Sequence, residues 1–144
     1  MLLIALLFLA ELFLPKRFSK LVAPTDQIES VFVRYVAQTN EEGKTLGPFA
    51  SGETRDELLT LLDGAAYTHK GFPLFRTDSL DGRILYRLTF YIPDLSKNTN
   101  CLELVITDQK TMAVVKNHGW SGQYAIHSEE LLPFLERLKE TGVQ

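Results

Sequence analysis

The chain is poorly supplied with the residues that reactive chemistry needs. Among 144 residues there is one cysteine, Cys101, and there are three histidines. A single cysteine excludes an internal disulfide and any disulfide-scaffolded design. Its distance from the N-terminus excludes a lipoprotein anchor. A basic surplus is also lacking, with 15 Lys+Arg against 18 Asp+Glu and a net charge of −3. Nothing therefore favours broad electrostatic binding to nucleic acid. Internal repeats and low-complexity tracts are absent. With 45% apolar and 23% charged residues, the composition excludes a wholly disordered chain, a collagen and a polytopic membrane protein. The length suits one domain of ordinary size.

One apolar run stands out. Met1 to Ala10 are all apolar, Glu11 interrupts, Leu12 to Leu14 continue, and Pro15 ends the run. As a helix, residues 1–14 would extend about 21 Å. That is short against a hydrocarbon core of about 30 Å, and it matches the apolar part of a secretion signal. The cations Lys16, Arg17 and Lys20 follow the run, whereas a signal peptide places its positive charge first. Leu21-Val22-Ala23 makes a poor cleavage site because its first residue is large. Three readings follow: a signal anchor, a short anchor whose C-terminal side faces the cytoplasm by the positive-inside rule, and a helix buried in the folded body. Ten unbroken apolar residues make a poor surface helix, so they need lipid or deep burial. Setting residues 1–20 aside leaves 12 Lys+Arg against 17 Asp+Glu, a net charge of −5. The remainder is thus unsuited to adhere to anionic lipid or nucleic acid.

Residues 21–29 contain Pro24 and several polar residues and read as a linker. From Ser30 to Gln38 the pattern alternates, with Val31, Val33, Tyr35 and Ala37 on one face of a strand. Residues 39–52 form a polar loop rich in turn residues. Thr54-Arg55-Asp56-Glu57 fits a capping box, opening a helix with Leu58, Leu59, Leu61 and Leu62 on one face. Asp63-Gly64 supplies a stop, with Gly64 suited to the left-handed C′ position. Residues 65–82 read as a long loop that is functional or hides a short strand. Arg83 to Ile92 is the clearest strand, with Ile84, Tyr86, Leu88, Phe90 and Ile92 facing one way. Strands over 101–107 and 111–116 are spaced as a hairpin, and 123–127 reads as a last short strand. Ser128-Glu129-Glu130 opens a closing helix, striped by Leu131, Leu132, Phe134, Leu135 and Leu138. Capping by Ser128 would put Pro133 beyond the first turn at the cost of a hydrogen bond, so a start near Leu132 is the alternative. The expected fold class is α+β: an antiparallel sheet of four to five strands with two helices, plus the N-terminal hydrophobic helix. The expected organisation is 1–20 as a signal anchor or short membrane helix, 21–29 as a linker, and 30–144 as the α+β domain.

Catalytic and metal-binding patterns are sparse. His69, His118 and His127 are scattered, and two histidines flanking a turn, His118 and His127, fall short of the three or four ligands a metal needs. Cys101 begins an apolar strand, which suits an inert thiol. Gly119-Trp120-Ser121-Gly122 lacks the spacing of a nucleophile elbow, and no glycine-rich phosphate loop precedes a helix. Glu41-Glu42 and Glu129-Glu130 are adjacent, so neither pair can face itself across a substrate. The expectation is no catalytic residue, no metal and no cofactor. Binding is the better argument. Tyr67, Phe72 and Phe75 lie with His69, Lys70 and Arg76 in the central segment, and Trp120 and Tyr124 lie near His118 in a glycine-containing turn. Aromatic residues with polar neighbours are typical of recognition surfaces, although rings of this kind also close the ends of small cores. The candidate ligand-binding residues are Trp120, Tyr124, His118, Tyr67, Phe72 and Phe75.

The apolar start, the helix Thr54–Asp63, the strand Tyr86-Arg87-Leu88-Thr89-Phe90-Tyr91, the hairpin around Leu104-Val105-Ile106-Thr107-Asp108 and the closing leucine-rich helix form a recognisable order over residues 28–139. It resembles small exported or membrane-anchored proteins of unknown function from Gram-positive bacteria. The resemblance implies a bacterial extracytoplasmic domain and implies no activity. The function expected is a membrane-tethered extracytoplasmic binding or accessory domain without catalysis. It would meet the membrane through residues 1–14, and a protein or small ligand through the aromatic loops. Two alternatives stand beside it: a soluble regulatory or immunity-type interaction protein, and a small hydrolase using His118 and His127.

Overall fold

The computed structural model describes residues 2–49, 52–70, 82–93, 101–116, 119–120 and 123–141, with the backbone alone at 11–13, 101, 116 and 119–120. The statements below concern these residues. The chain is an α+β protein with an antiparallel sheet, larger than its alternating segments suggest. The strands are β1 Lys16–Arg17, β2 Ser30–Tyr35, β3 Lys44–Thr45, β4 Ala66–His69, β5 Ile84–Tyr91, β6 Cys101–Thr107, β7 Thr111–Lys116, β8 Gly119–Trp120 and β9 Tyr124–His127. The sheet runs β1-β4-β9-β7-β6-β5-β2-β3, with β8 paired to β7. The helices are α1 Leu2–Phe13, α2 Phe18–Leu21, α3 Glu53–Gly64 and α4 Leu131–Thr141, with a 3₁₀ turn at Thr25–Gln27.

The expectation of four to five strands and two helices is therefore corrected upward. Every long alternating strand is present. The additions are β1, β3 and β8 at two residues each and β4 at four, together with the single-turn α2. Two residues carry no period, so such strands exist only because a neighbour pairs with them.

The sheet centre follows from alternation. β5 buries Tyr86, Leu88 and Phe90, and β2 buries Val31, Val33 and Tyr35. The register sets Val31 opposite Phe90, Val33 opposite Leu88 and Tyr35 opposite Tyr86. Leu104 and Ile106 extend this face across β6, and Met112 and Val114 across β7. Leu58, Leu59 and Leu62 of α3 join the same core, as do Leu131, Phe134, Leu135 and Leu138 of α4. The helices thus cover one face of the sheet.

The core also takes in chain upstream of Ser30. Phe18 is fully buried and meets Phe90 edge-on, with ring centroids 5.5 Å apart. Ala23 and Ile28 are core residues as well, within the segment read as a linker.

Helix ends differ from the expected motifs. α3 begins at Glu53 with Gly52 as its cap, and no side chain caps it. Thr54 lies inside the first turn, so the capping box does not form. Gly64 is the last helical residue and Ala65 follows in an extended conformation. The left-handed glycine stop is therefore absent. α4 begins at Leu131, whose N–H donates to Ser128 Oγ at 3.2 Å. Pro133 then falls in the first turn, where its missing N–H removes no helical bond.

A glycine is required at the start of β5. Gly82 has φ +94°, and a Cβ there would run into Asp108 Oδ1 and Gln109. That carboxylate accepts the Arg83 N–H at 2.9 Å and meets Arg83 Nε at 3.2 Å, tying β5 to the β6–β7 turn. The N–H of Arg83 is the main reason Asp108 titrates below the ordinary carboxylate range. Gly82→Ala combines an unfavourable φ with displacement of this carboxylate. The expected loss is about 1–2 kcal/mol, read from the urea midpoint at unchanged slope.

Candidate functional site

Of the sequence-selected aromatics, Tyr67 and Tyr124 fall on the paired strands β4 and β9, with Tyr124 opposite His69. Tyr67 is fully buried, and its hydroxyl donates to the Leu62 carbonyl at 2.7 Å. Burial, with the charge of Asp63 adding to it, pushes its hydroxyl pKa well above the usual value. It is a core residue joining β4 to α3. Tyr124 is nearly buried and packs on His69, with centroids 4.5 Å apart. Burial, then the nearby charge of Lys16, lowers the His69 pKa. Trp120 lies in β8, with its backbone alone described. His118, Phe72 and Phe75 lie outside the described residues.

The histidine readings can be placed in part. His127 Nε2 lies 2.8 Å from Thr68 Oγ1 across the β4–β9 pair. The intended partner of His127, His118, is outside the described residues. Among the described residues, no group of three His, Cys, Asp or Glu is arranged to hold a metal.

The densest polar constellation was not singled out by sequence. Tyr35 Oη donates to Glu41 Oε2 at 2.9 Å, and Tyr86 Oη donates to Glu136 Oε1 at 2.5 Å. Between them lies Lys139, with Nζ 3.1 Å from Glu136 Oε2 and 3.4 Å from Glu41 Oε1. The same ammonium sits 4.4 Å from the centre of the Tyr35 ring, a cation–π contact. The two tyrosine rings meet at 5.5 Å. Lys44 Nζ closes the group by donating to the Lys139 carbonyl at 3.2 Å.

These contacts shift the titration of Tyr35, Glu41, Tyr86 and Lys139. Burial, reinforced by the hydrogen bond to Glu41, raises the Tyr35 pKa. Burial and the Glu136 carboxylate raise that of Tyr86. The Tyr35 hydroxyl, with Lys139 assisting, lowers the Glu41 pKa despite some desolvation. Burial opposes the charge on Lys139, but Glu136, Tyr35 and Glu41 together outweigh it and raise its pKa. Two neutral hydroxyls, two carboxylates and one ammonium thus satisfy one another. No buried side-chain N or O among the described residues lacks a partner. Chemically this is a clasp fixing α4 and residues 38–44 to the sheet, since its proton donors and acceptors are already committed to each other.

Two surface features remain. An open groove of about 490 Å³ is bordered by Arg17, Asp26, Arg55, Asp56 and Asp63. Arg55 spans its floor, ion-paired with Asp56 at 3.2 Å and donating to the Glu29 carbonyl at 3.0 Å. The second feature is α1. Leu2, Leu3, Ile4, Leu6, Leu7, Phe8 and Leu9 are all exposed, Leu2 by 75% and Phe8 by 60%. α1 therefore does not enter the core that the rest of the chain builds. No helix among the described residues is long and apolar enough to cross a membrane. No protein-family model, no curated protein and no solved structure matches the chain.

Proposed function

We propose that this protein is a membrane-tethered binding or accessory domain without catalytic activity, held to lipid by α1. The carrying observation is the exposure of seven large apolar side chains along one helix. Soluble monomers rarely leave so large a contiguous apolar surface in water, and such a patch marks a protein or membrane contact. α1 is exposed at every residue from Leu2 to Ala10. Lipid can surround such a helix on all sides, whereas a groove on a partner covers only one. The 12-residue helix offers about 18 Å of apolar rod, which favours the hydrocarbon over water by roughly 0.8 kcal/mol per buried methylene.

Flotation on phosphatidylcholine vesicles tests the tether. The full chain is expected to float with the vesicles. A chain lacking residues 2–13 is expected to stay in solution and still unfold cooperatively in urea. A full chain that stays behind refutes the reading.

We place the body outside the cytoplasmic membrane, on the resemblance to exported proteins. A second placement has its own support: Lys16, Arg17 and Lys20 follow α1 on the body's side, which the positive-inside rule associates with the cytoplasm. Reporters fused after residue 144 separate the two. An extracytoplasmic reporter that is active while a cytoplasmic one is silent supports the first placement, and the reverse pattern overturns it.

A further inference from the structure

We infer that Lys16, Arg17 and Lys20 form a collar that binds anionic phospholipid headgroups and seats the folded body directly on the bilayer surface. This rests on the tether reading, to which it adds the chemistry of the surface. Between Glu11 and Asp26 these three cations are the only charged residues. Arg17 and Lys20 are exposed and Lys16 is half-buried. Beyond residue 20 the balance reverses to 12 Lys+Arg against 17 Asp+Glu. An anionic surface therefore attracts the junction and repels the body beyond it, which fixes an orientation as well as adding affinity.

The junction is rigid and short. α1 ends at Phe13, the Leu14 N–H still donates to the Ala10 carbonyl at 3.1 Å, and only Pro15 separates Leu14 from β1. Lys16 and Arg17 are then fixed opposite Tyr67 and Ala66 of β4. The next residue, Phe18, is locked in the core. At about 3.5 Å per extended residue and about 1.5 Å per helical one, Lys16 and Arg17 lie within roughly 15 Å of the helix end and Lys20 within roughly 20 Å. With α1 in hydrocarbon, the cations sit at headgroup depth and the β1–β4 edge faces the membrane, with no slack that would let the body swing away.

The test is partition of the full chain onto phosphatidylcholine vesicles with and without phosphatidylglycerol, at low and high salt. One cation near an anionic surface is worth about fivefold in partition. The full chain is expected to prefer the phosphatidylglycerol vesicles by about a hundredfold at low salt and to lose most of that preference at high salt. Lys20→Gln is expected to reduce the preference about fivefold, and Arg17→Gln with Lys20→Gln about 25-fold, with flotation on phosphatidylcholine alone unchanged. Lys20 is the cleaner probe, because Arg17 also borders the aspartate-lined groove. Equal partition onto both compositions, a preference indifferent to salt, or one retained by the double variant overturns the collar and leaves the tether standing. Failure to float on either composition overturns both.

Discussion

Phe18→Ala is expected to destabilise the protein by about 3–5 kcal/mol, a large share of the stability of a domain this size. The residue stands only five positions after α1 ends, yet it is fully buried. Its ring fills the space beside Phe90, one residue from the end of β5, in an edge-on contact. Truncation removes the transfer energy of the ring, opens a cavity and forfeits the aromatic pair. The measurement is the urea midpoint at unchanged slope. A loss under about 1 kcal/mol, the range of ordinary surface substitutions, would mean that the body begins downstream of residue 20 and that the chain before it is a dispensable leader. The same packing bears on the membrane reading. If Phe18 is structural, the helix and the body share a joint of two residues, and a load on α1 passes directly to β1.

How far the sequence foretold this molecule depends on how local each feature is. β5, β6 and β7 were legible because their side chains alternate over six to eight residues, and the packing of one sheet face enforces that alternation. β1 and β3 were not legible, since two residues have no period, and the partner that defines β1, β4, lies about 50 residues along the chain. Tyr67 lies in residues 65–82, read as a loop that is functional or hides a short strand; the strand is only four residues long, and the tyrosine is buried with its hydroxyl on the Leu62 carbonyl of α3. α3 shows that a motif can match and still be unused. Thr54 and Glu57 have the right spacing for a capping box, but the chain enters the helix two residues earlier, through Gly52 at φ 99°. α1 was visible from composition alone, and structure adds that the body leaves it uncovered. The clasp around Lys139 was half visible. Glu136 and Lys139 are three apart on one helix, a spacing that pairs charges. Glu41, Tyr35 and Tyr86 reach that pair only through the fold, from segments 50 to 104 residues away.

Lys139→Met is expected to cost about 2–3 kcal/mol at neutral pH. The substitution keeps an unbranched apolar stem over the Tyr35 ring and removes the one cation shared by Glu41 and Glu136. Exposed ion pairs contribute under about 1 kcal/mol and breaking buried ones costs about 3–5. Lys139, with its side chain only 14% exposed between two half-exposed carboxylates, belongs between these limits. The pH profile gives the independent signature. Glu41 titrates below its ordinary 4.5 in the folded chain, with the Tyr35 hydroxyl as the leading cause. Its contribution is therefore present above that value and is lost as pH falls through the lower, folded-state pKa. Tyr35 and Tyr86 titrate above 10.0, burial being the leading cause. The balance of forces on Lys139 places it above 10.5. These contributions are complete below the ordinary values and are lost as pH rises through the raised ones. Urea titrations are expected to show a plateau from about pH 5 to about pH 9 with a decline on either side. Glu41→Gln is expected to make the acid limb shallower, with the remainder carried by groups such as Asp108, while Tyr86→Phe makes the alkaline limb shallower and leaves the acid limb in place. Limbs that keep their slopes in both variants would show that the pH dependence arises elsewhere, and would leave Lys139 a surface lysine whose removal costs less than 1 kcal/mol.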